Sequence, residues 1–175
     1  MVRVRLRAPS PRDEEAFLAA ARRSRALHRG LAHPPATSAA FRAFLERARD
    51  AQYECRLVVD PQSDAIVGVV NLNEIVRGSF QSAYLGYYAF APFEGMGFMR
   101  AGVAAAITRA FRELRLHRLE ANIQPQNHRS IRLVRRLGFR KEGLSPKYVK
   151  VGGRWRDHER WALLRDEWSA RRSTS

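Results

Sequence analysis

The chain has 175 residues, of which 45% are apolar and 10% aromatic, so it is long enough to fold as one domain around its own core. It has 32 basic and 17 acidic residues, a formal net charge of +15, and only three of the basic residues are lysines. The single cysteine, Cys55, excludes an internal disulfide framework and any cysteine-rich metal site.

The charge and the N-terminus give two further expectations. The net charge of +15 fits either an arginine-biased surface or attraction to a polyanion such as RNA. No apolar run approaches the roughly 18 residues of a membrane span, and the first seven residues alternate with charges, unlike a signal peptide. We therefore expect a cytoplasmic protein.

The N-terminal third predicts a short strand and two helices. Residues 2–7 alternate apolar and charged side chains, as a half-buried strand does. Ser10, Pro11 and Asp13 form a capping-box pattern, which predicts a helix from there to about Arg29. A second helix is predicted from Thr37 or Ser38, with its apolar side chains on one stripe.

The rest of the chain predicts a mixed α/β arrangement. Strand-like segments at 53–59, 65–76 and 80–90 are separated by short turns and predict an antiparallel meander. A helix, a strand at 118–123, a second helix ending before Gly138, and a hairpin across Gly152-Gly153 follow. We expect a single domain over residues 1–168 and a polar tail over residues 169–175.

A glycine-bearing loop precedes the helix that follows the meander. Residues 91–97 read APFEGMG, so the loop ends where the unpaired N–H groups of the helix begin. These groups and the helix dipole suit a phosphate or pyrophosphate, and Arg100 in the first turn could add a charged contact. Two glycines at a helix start are also typical of an ordinary turn.

Several later motifs raise the specificity of this interpretation. They are HRLEAN at 117–122, PQNHRSIRL at 125–133, RLGF at 136–139 and GRWRDH at 153–158. In this order and at these separations they resemble the GNAT superfamily of N-acetyltransferases, and within it the RimJ/RimL-type ribosomal-protein alanine N-acetyltransferases. The resemblance covers about residues 3–168.

The resemblance implies a mostly antiparallel sheet that splays open in its middle and takes acetyl-coenzyme A in the opening. It implies strand backbone against the pantetheine arm, loop amides on the pyrophosphate, and Asn127 as a partner of the pantetheine; Asn127 also suits a helix cap. The residues that it assigns to the cofactor are Tyr88, Ala89, Phe90, Gly95, Met96, Gly97, Phe98, Met99, Arg100, Asn127 and Ser130.

Some positions depart from the family pattern. Glu94 replaces a usual Gln or Arg, and its carboxylate would repel a pyrophosphate unless it turned to solvent or paired with Arg100. Met99 stands where the family usually has Gly or Ala, although it also occurs in RimJ-like relatives. A family glutamate in the helix is replaced by Ala101, and a family tyrosine that acts as an acid is replaced by Val134.

The resemblance also implies direct attack of a neutral amine on the thioester, which needs a base, an oxyanion donor and an acid. Glu120 is the first candidate for the base, with pairing to one of the many arginines as an equal alternative, and Glu74 is a weaker candidate. Ser130 and Tyr148 are the candidates for the acid or a proton relay. A backbone N–H around Phe90 is expected to serve the oxyanion.

The expected function is transfer of an acetyl group to a primary amine, above all the N-terminal α-amine of a ribosomal protein. A small amine or antibiotic is an alternative acceptor. A weakly catalytic, ribosome- or RNA-associated protein on the same fold is a third possibility. We expect no metal, no membrane association, and a monomer or homodimer.

Overall fold

The computed structural model describes residues 2–173, which form one seven-stranded sheet with helices on both faces. The strands are β1 (Arg5–Arg7), β2 (Glu54–Val59), β3 (Ile66–Val76), β4 (Ser82–Ala89), β5 (Arg118–Ile123), β6 (Arg140–Val151) and β7 (Arg154–Leu164). Their order in the sheet is β1-β2-β3-β4-β5-β7-β6, and all neighbours are antiparallel except β4 and β5. The predicted mixed α/β fold with a meander and a C-terminal hairpin is confirmed.

The helices begin and end close to the predicted caps. They are α1 (Glu14–Arg23) after a 3-10 turn at Pro11–Asp13, α2 (Arg25–His28), α3 (Ser38–Arg47), α4 (Phe98–Arg112), α5 (His128–Leu137) and α6 (Arg165–Ser173). The capping box of Ser10 and Asp13 forms, and Thr37 accepts a hydrogen bond from the amide of Ala40 at 3.2 Å. Within residues 2–173, no helix has the combined length and hydropathy that a membrane crossing requires.

Two helical expectations are corrected. The helix predicted to run to Arg29 is broken at Ser24, whose hydroxyl donates to the Ala20 carbonyl at 2.7 Å and accepts from the Ala91 amide at 2.9 Å. This tertiary contact with a residue 67 positions away has no signature in the local pattern. Residues 169–173 of the predicted tail lie in α6, whereas residues 174–175 fall outside the described chain.

The sheet is buried unequally on its two faces. A large apolar cluster lies between helices α4 and α5 and all the strands except β6. A smaller cluster, built around Phe17, Phe41 and Phe90, lies on the other face and contains no residue of β5, β6 or β7. That face is therefore covered by α1 and α3 over the first half of the sheet and carries polar side chains over the second half.

The N-terminus of α4 is held against the sheet by a close approach at Gly68 of β3. A Cβ atom at this position would lie 2.6 Å from the Tyr88 carbonyl oxygen and in direct collision with the thioether of Met99. Met99 itself is buried in the first turn of α4. Only glycine allows β3, β4 and the start of α4 to meet at this distance.

We predict that Gly68→Ala lowers the free energy of unfolding by about 1–3 kcal/mol, the usual cost of overpacking a core. For a chain of this size this corresponds to a melting temperature lower by very roughly 2–12 °C, measurable by thermal or urea denaturation. An unchanged melting temperature would show that Met99 and the β4 backbone shift without cost, contrary to the close packing described.

Candidate active site

The central feature of the site is the divergence of β4 and β5. The two parallel strands are paired only at Ser82–Arg118, Ala83–Leu119 and Tyr84–Glu120, and beyond these positions they separate. The Phe90 amide donates to the Val67 carbonyl of β3 at 2.8 Å. Because the backbone groups of successive strand residues point to alternate sides, those of Ala89 and Tyr87 point into the opening.

The Phe90 amide is therefore used by the sheet, which corrects its expected role as an oxyanion donor. The Phe90 ring is fully buried among Phe17, His28 and Tyr88. The Ala89 amide, one residue earlier, points into the opening and is the better-placed donor of this segment.

Three hydrogen bonds connect the separated strands to the segments around the opening. The Nε2 atom of His28 donates to the Ala89 carbonyl of β4 at 2.7 Å, and the Gln124 side chain after β5 donates to the Gly30 carbonyl at 2.8 Å. Residues 28–30 thus connect the ends of both strands. On the opposite face, the Tyr87 hydroxyl donates to the Ser130 carbonyl of α5 at 3.2 Å.

The glycine loop leaves the first amides of α4 without a side-chain cap. Gly97 is the N-cap residue in a left-handed conformation (φ +90°), and no side chain accepts from the first turn. A Cβ at Gly95 would meet nothing within 4 Å. The expected ion pair between Glu94 and Arg100 does not form, and both side chains are exposed. Glu94 thus takes the solvent-facing alternative.

The start of α5 places Asn127 and Ser130 across the opening from this loop. The Oδ1 atom of Asn127 accepts from the Ser130 amide at 3.2 Å, so Asn127 is a helix cap and its side-chain NH2 group is not used by that bond. Val134, one turn beyond Ser130, is fully buried in the large apolar cluster.

Glu120 and Tyr148 lie on the polar face, on the side of the sheet opposite α5. Arg118 donates from Nε to Glu120 at 2.9 Å and from Nη1 to Glu142 at 3.1 Å, so Glu120 has the arginine partner that the sequence allowed. Tyr84 lies opposite Glu120, and its hydrogen bond with Tyr148, together with burial, raises the pKa of Tyr84 to about 12. The proposed base and acid thus come together through Tyr84, whereas Ser130 lies on the other face.

The remaining candidates have other roles. Glu74 lies at an irregularity of β3 and accepts from the Tyr53 hydroxyl at 2.6 Å. Burial raises the pKa of the Cys55 thiol to about 12, so it stays protonated near neutral pH. Among the described residues, no group of three or more His, Cys, Asp or Glu side chains is placed to hold a metal ion.

Sequence reasoning missed the residues that shape the opening. His28, Gln124 and Tyr87 act through contacts with residues 61, 94 and 43 positions away. The alternation of β4 shows from the sequence that Tyr84 shares a face with Tyr88, but its place beside Glu120 follows only from the register of β4 and β5.

Comparison with known proteins agrees with this geometry. Residues 3–140 match the family described as "Acetyltransferase (GNAT) domain". The chain therefore belongs to the GNAT family of acetyltransferases, and the predicted class of enzyme, an N-acetyltransferase, is confirmed.

Two curated relatives narrow the comparison. Ribosomal protein uS5-alanine N-acetyltransferase of Escherichia coli K12 is 43% identical over 110 residues, which are 63% of this chain and 57% of that protein. The probable N-acetyltransferase YjcK of Bacillus subtilis 168 is 38% identical over 128 residues, or 68% of this chain and 71% of that protein. The aligned part thus spans less than two thirds of the E. coli relative.

Solved structures show the same fold. Ribosomal-protein-S5-alanine acetyltransferase of Vibrio fischeri has a TM-score of 0.80 at 28% identity, with 94% of both chains covered. RimJ of Mycobacterium smegmatis, in complex with CoA-disulfide, has a TM-score of 0.84 at 26% identity, covering 94% of this chain and 83% of that one. The RimJ resemblance is confirmed.

The contact of His28 predicts a pH dependence of stability. Burial lowers the pKa of His28, although its bond to the Ala89 carbonyl acts in the opposite direction. The carbonyl only accepts, so Nε2 carries the proton in neutral His28. Because the folded-state pKa lies below the unfolded value near 6.5, the neutral His28 contributes stability above pH 6.5 that is lost as the pH falls through the folded pKa.

We therefore expect the free energy of unfolding of the wild type to fall more steeply between pH 7 and pH 5 than that of His28→Gln, which retains an N–H donor but does not titrate. Urea denaturation at several pH values measures the difference, and other titrating groups cancel. Parallel curves for the two proteins would contradict the assigned pKa direction.

Proposed function

We propose that the protein transfers the acetyl group of acetyl-coenzyme A to the N-terminal α-amine of a protein, with a ribosomal protein as the preferred acceptor. The single observation that carries this proposal is the divergence of β4 and β5 after three paired positions. It creates a slot with strand edges along its sides and two helix N-termini at its mouth.

The residues at this slot fit coenzyme A. An extended pantetheine arm can pair with the inward-pointing backbone groups of Tyr87 and with the Ala89 amide, because the Ala89 carbonyl is held by His28. Tyr88 and Phe90 contribute through their packing. The uncapped amides of residues 95–99 suit the diphosphate, and the exposed Arg100 adds positive charge. The Asn127 NH2 group and the Ser130 hydroxyl line the α5 side. Among the structures compared above, the RimJ relative was solved with CoA-disulfide.

The activated thioester of acetyl-CoA supplies the acetyl group, and this chain's residues manage the amine and its proton. An α-amine with a pKa near 7.8 is about one-tenth neutral at pH 7, whereas a lysine with a pKa near 10.4 is neutral only about once in 2,500 molecules. An α-amine therefore needs only a modest base. Glu120, hydrogen-bonded to Arg118, can take the proton directly or through a water molecule.

The proton for the leaving sulfur can come from either side of the slot. Tyr148 is 38% exposed and bonded to Tyr84, so its hydroxyl lies at the rim of the polar face beside Glu120. Ser130 lies at the start of α5 and is partly buried. A serine is a weak acid, so its role is to relay the proton or to orient the sulfur.

The choice of acceptor is supported by the uS5-alanine acetyltransferases among the relatives and by the net charge of +15, which suits work near ribosomal RNA. A polyamine is the second candidate, because a spermidine N(1)-acetyltransferase of Vibrio cholerae is 27% identical over 115 residues. The arginines of the polar face oppose a polycationic acceptor. A cytoplasmic location and a monomer or homodimer stay predictions.

A thermal melt with acetyl-CoA tests the slot. At a ligand concentration of one hundred dissociation constants we expect about 2.7 kcal/mol of stabilisation, a rise of roughly 5–10 °C. Asn127→Ala should reduce this rise, because it removes the amide at the α5 side.

The matched control is Thr37→Ala, which also deletes a helix cap but lies outside the slot. It should lower the melting temperature without changing the rise caused by acetyl-CoA. No rise for the wild type at millimolar acetyl-CoA, with coenzyme A also without effect, would refute the proposed slot and leave the RNA-associated alternative.

Glu120→Gln tests the proposed base. We expect kcat/KM for a peptide beginning with alanine to fall about 10- to 100-fold at pH 7, because the base is then absent. The loss should shrink near pH 9, where the α-amine is already neutral. Initial rates across pH 6–9 measure this change.

Glu74→Gln removes the weaker candidate and should leave the rates unchanged. A loss for Glu120→Gln that is equal at every pH would assign Glu120 an electrostatic or structural role through Arg118.

A further inference from the structure

Two buried polar atoms on the polar face have no hydrogen-bond partner among the described residues. They are Oδ1 of Asn122 on β5 and Nε of Arg160 on β7. The two residues are direct cross-strand partners, so their side chains lie side by side on the same face. A buried donor and a buried acceptor that do not bond each other cost folding free energy.

The surroundings of Arg160 leave its guanidinium available. It lies over Gly143 of β6, where a Cβ atom would lie 3.3 Å from Nη2. Glu142 is near enough for the charge of Arg160 to lower its pKa, but the strongest contribution to that shift comes from its hydrogen bonds with Arg118. No salt bridge within residues 2–173 includes Arg160.

Asn122 and Arg160 lie two strand residues beyond Glu120, the proposed base. Asn122 follows Glu120 by two residues on the same face of β5, which places it about 7 Å further along the strand. Both Asn122 and Arg160 are partly exposed, so their side chains reach the surface of the open half of this face.

We propose that Asn122 and Arg160 bind the second peptide group of the acceptor and so select a peptide N-terminus over a polyamine. This inference rests on the proposed function. An extended peptide advances about 3.5 Å per residue, so its second peptide group, about 7 Å from the α-amine, reaches this pair when the α-amine is beside Glu120. The N–H donates to Asn122, and the C=O accepts from the guanidinium of Arg160.

The same pair disfavours the second candidate acceptor. A polyamine has no carbonyl to accept from Arg160, and its additional ammonium groups are repelled by the guanidinium. Discrimination thus comes from one attractive contact with the peptide and one repulsive contact with the competitor.

The experiment compares kcat and KM of the wild type and Arg160→Gln with three acceptors: a tetrapeptide beginning with alanine, isopropylamine and spermidine. Each acceptor is compared with itself across variants, so differences in amine pKa cancel. We expect kcat/KM for the peptide to fall about 10- to 100-fold, mainly through KM. Isopropylamine should change less than twofold, and spermidine should improve.

Two further variants separate binding from folding. Arg160→Lys keeps the charge but not the fork of the guanidinium and should recover part of the peptide activity. Arg156→Gln removes an equal charge from an exposed position of β7 and should leave all three acceptors unchanged. The rise in melting temperature with acetyl-CoA should be the same in every variant.

An equal loss for the peptide and isopropylamine, or no loss for either, would overturn the inference while leaving the proposed function standing. A wild type that acetylates isopropylamine or spermidine but no peptide would overturn the proposed acceptor itself, and the inference with it.

Discussion

The structure depends on the parting of two parallel strands. Once β4 and β5 separate after Tyr84 and Glu120, each exposes backbone groups that a continuous sheet would pair. Such groups must find partners in side chains, water or a ligand. His28 takes one of them directly, and the helix ends at α4 and α5 add further unpaired amides at the same place. The binding slot is thus a consequence of an interrupted sheet.

The two faces of the interrupted sheet serve different chemistry because they are covered differently. Helices α4 and α5 bury one face, and their N-termini lie beside the opening between β4 and β5. The other face is apolar only where α1 and α3 cover it, and over β5 and β7 it carries Arg118, Glu120 and Arg160. Under the proposed function, the cofactor and the acceptor enter from opposite sides and meet at the fork.

Local pattern was enough to predict most of the elements and the helix caps beside the opening. Caps such as Thr37, Asn127 and Gly138 act within a few residues, so the sequence shows them directly. The break at Ser24 and the bridge from His28 depend on residues more than 60 positions away, which periodicity does not report. The acceptor side was least predictable, because Asn122 and Arg160 become neighbours only through the order of strands in the sheet.

The strand order also determines the point in synthesis at which each half of the sheet can form. Strands β1 to β4 are successive neighbours in the sheet, and all four have been synthesised once the chain reaches residue 89. The last strand, β7, lies between β5 and β6, so the second half of the sheet cannot close until the chain has been made to residue 164. During synthesis the first half of the sheet can therefore form before the second half, and the polar face over β5 and β7 is assembled only after β7 has been made.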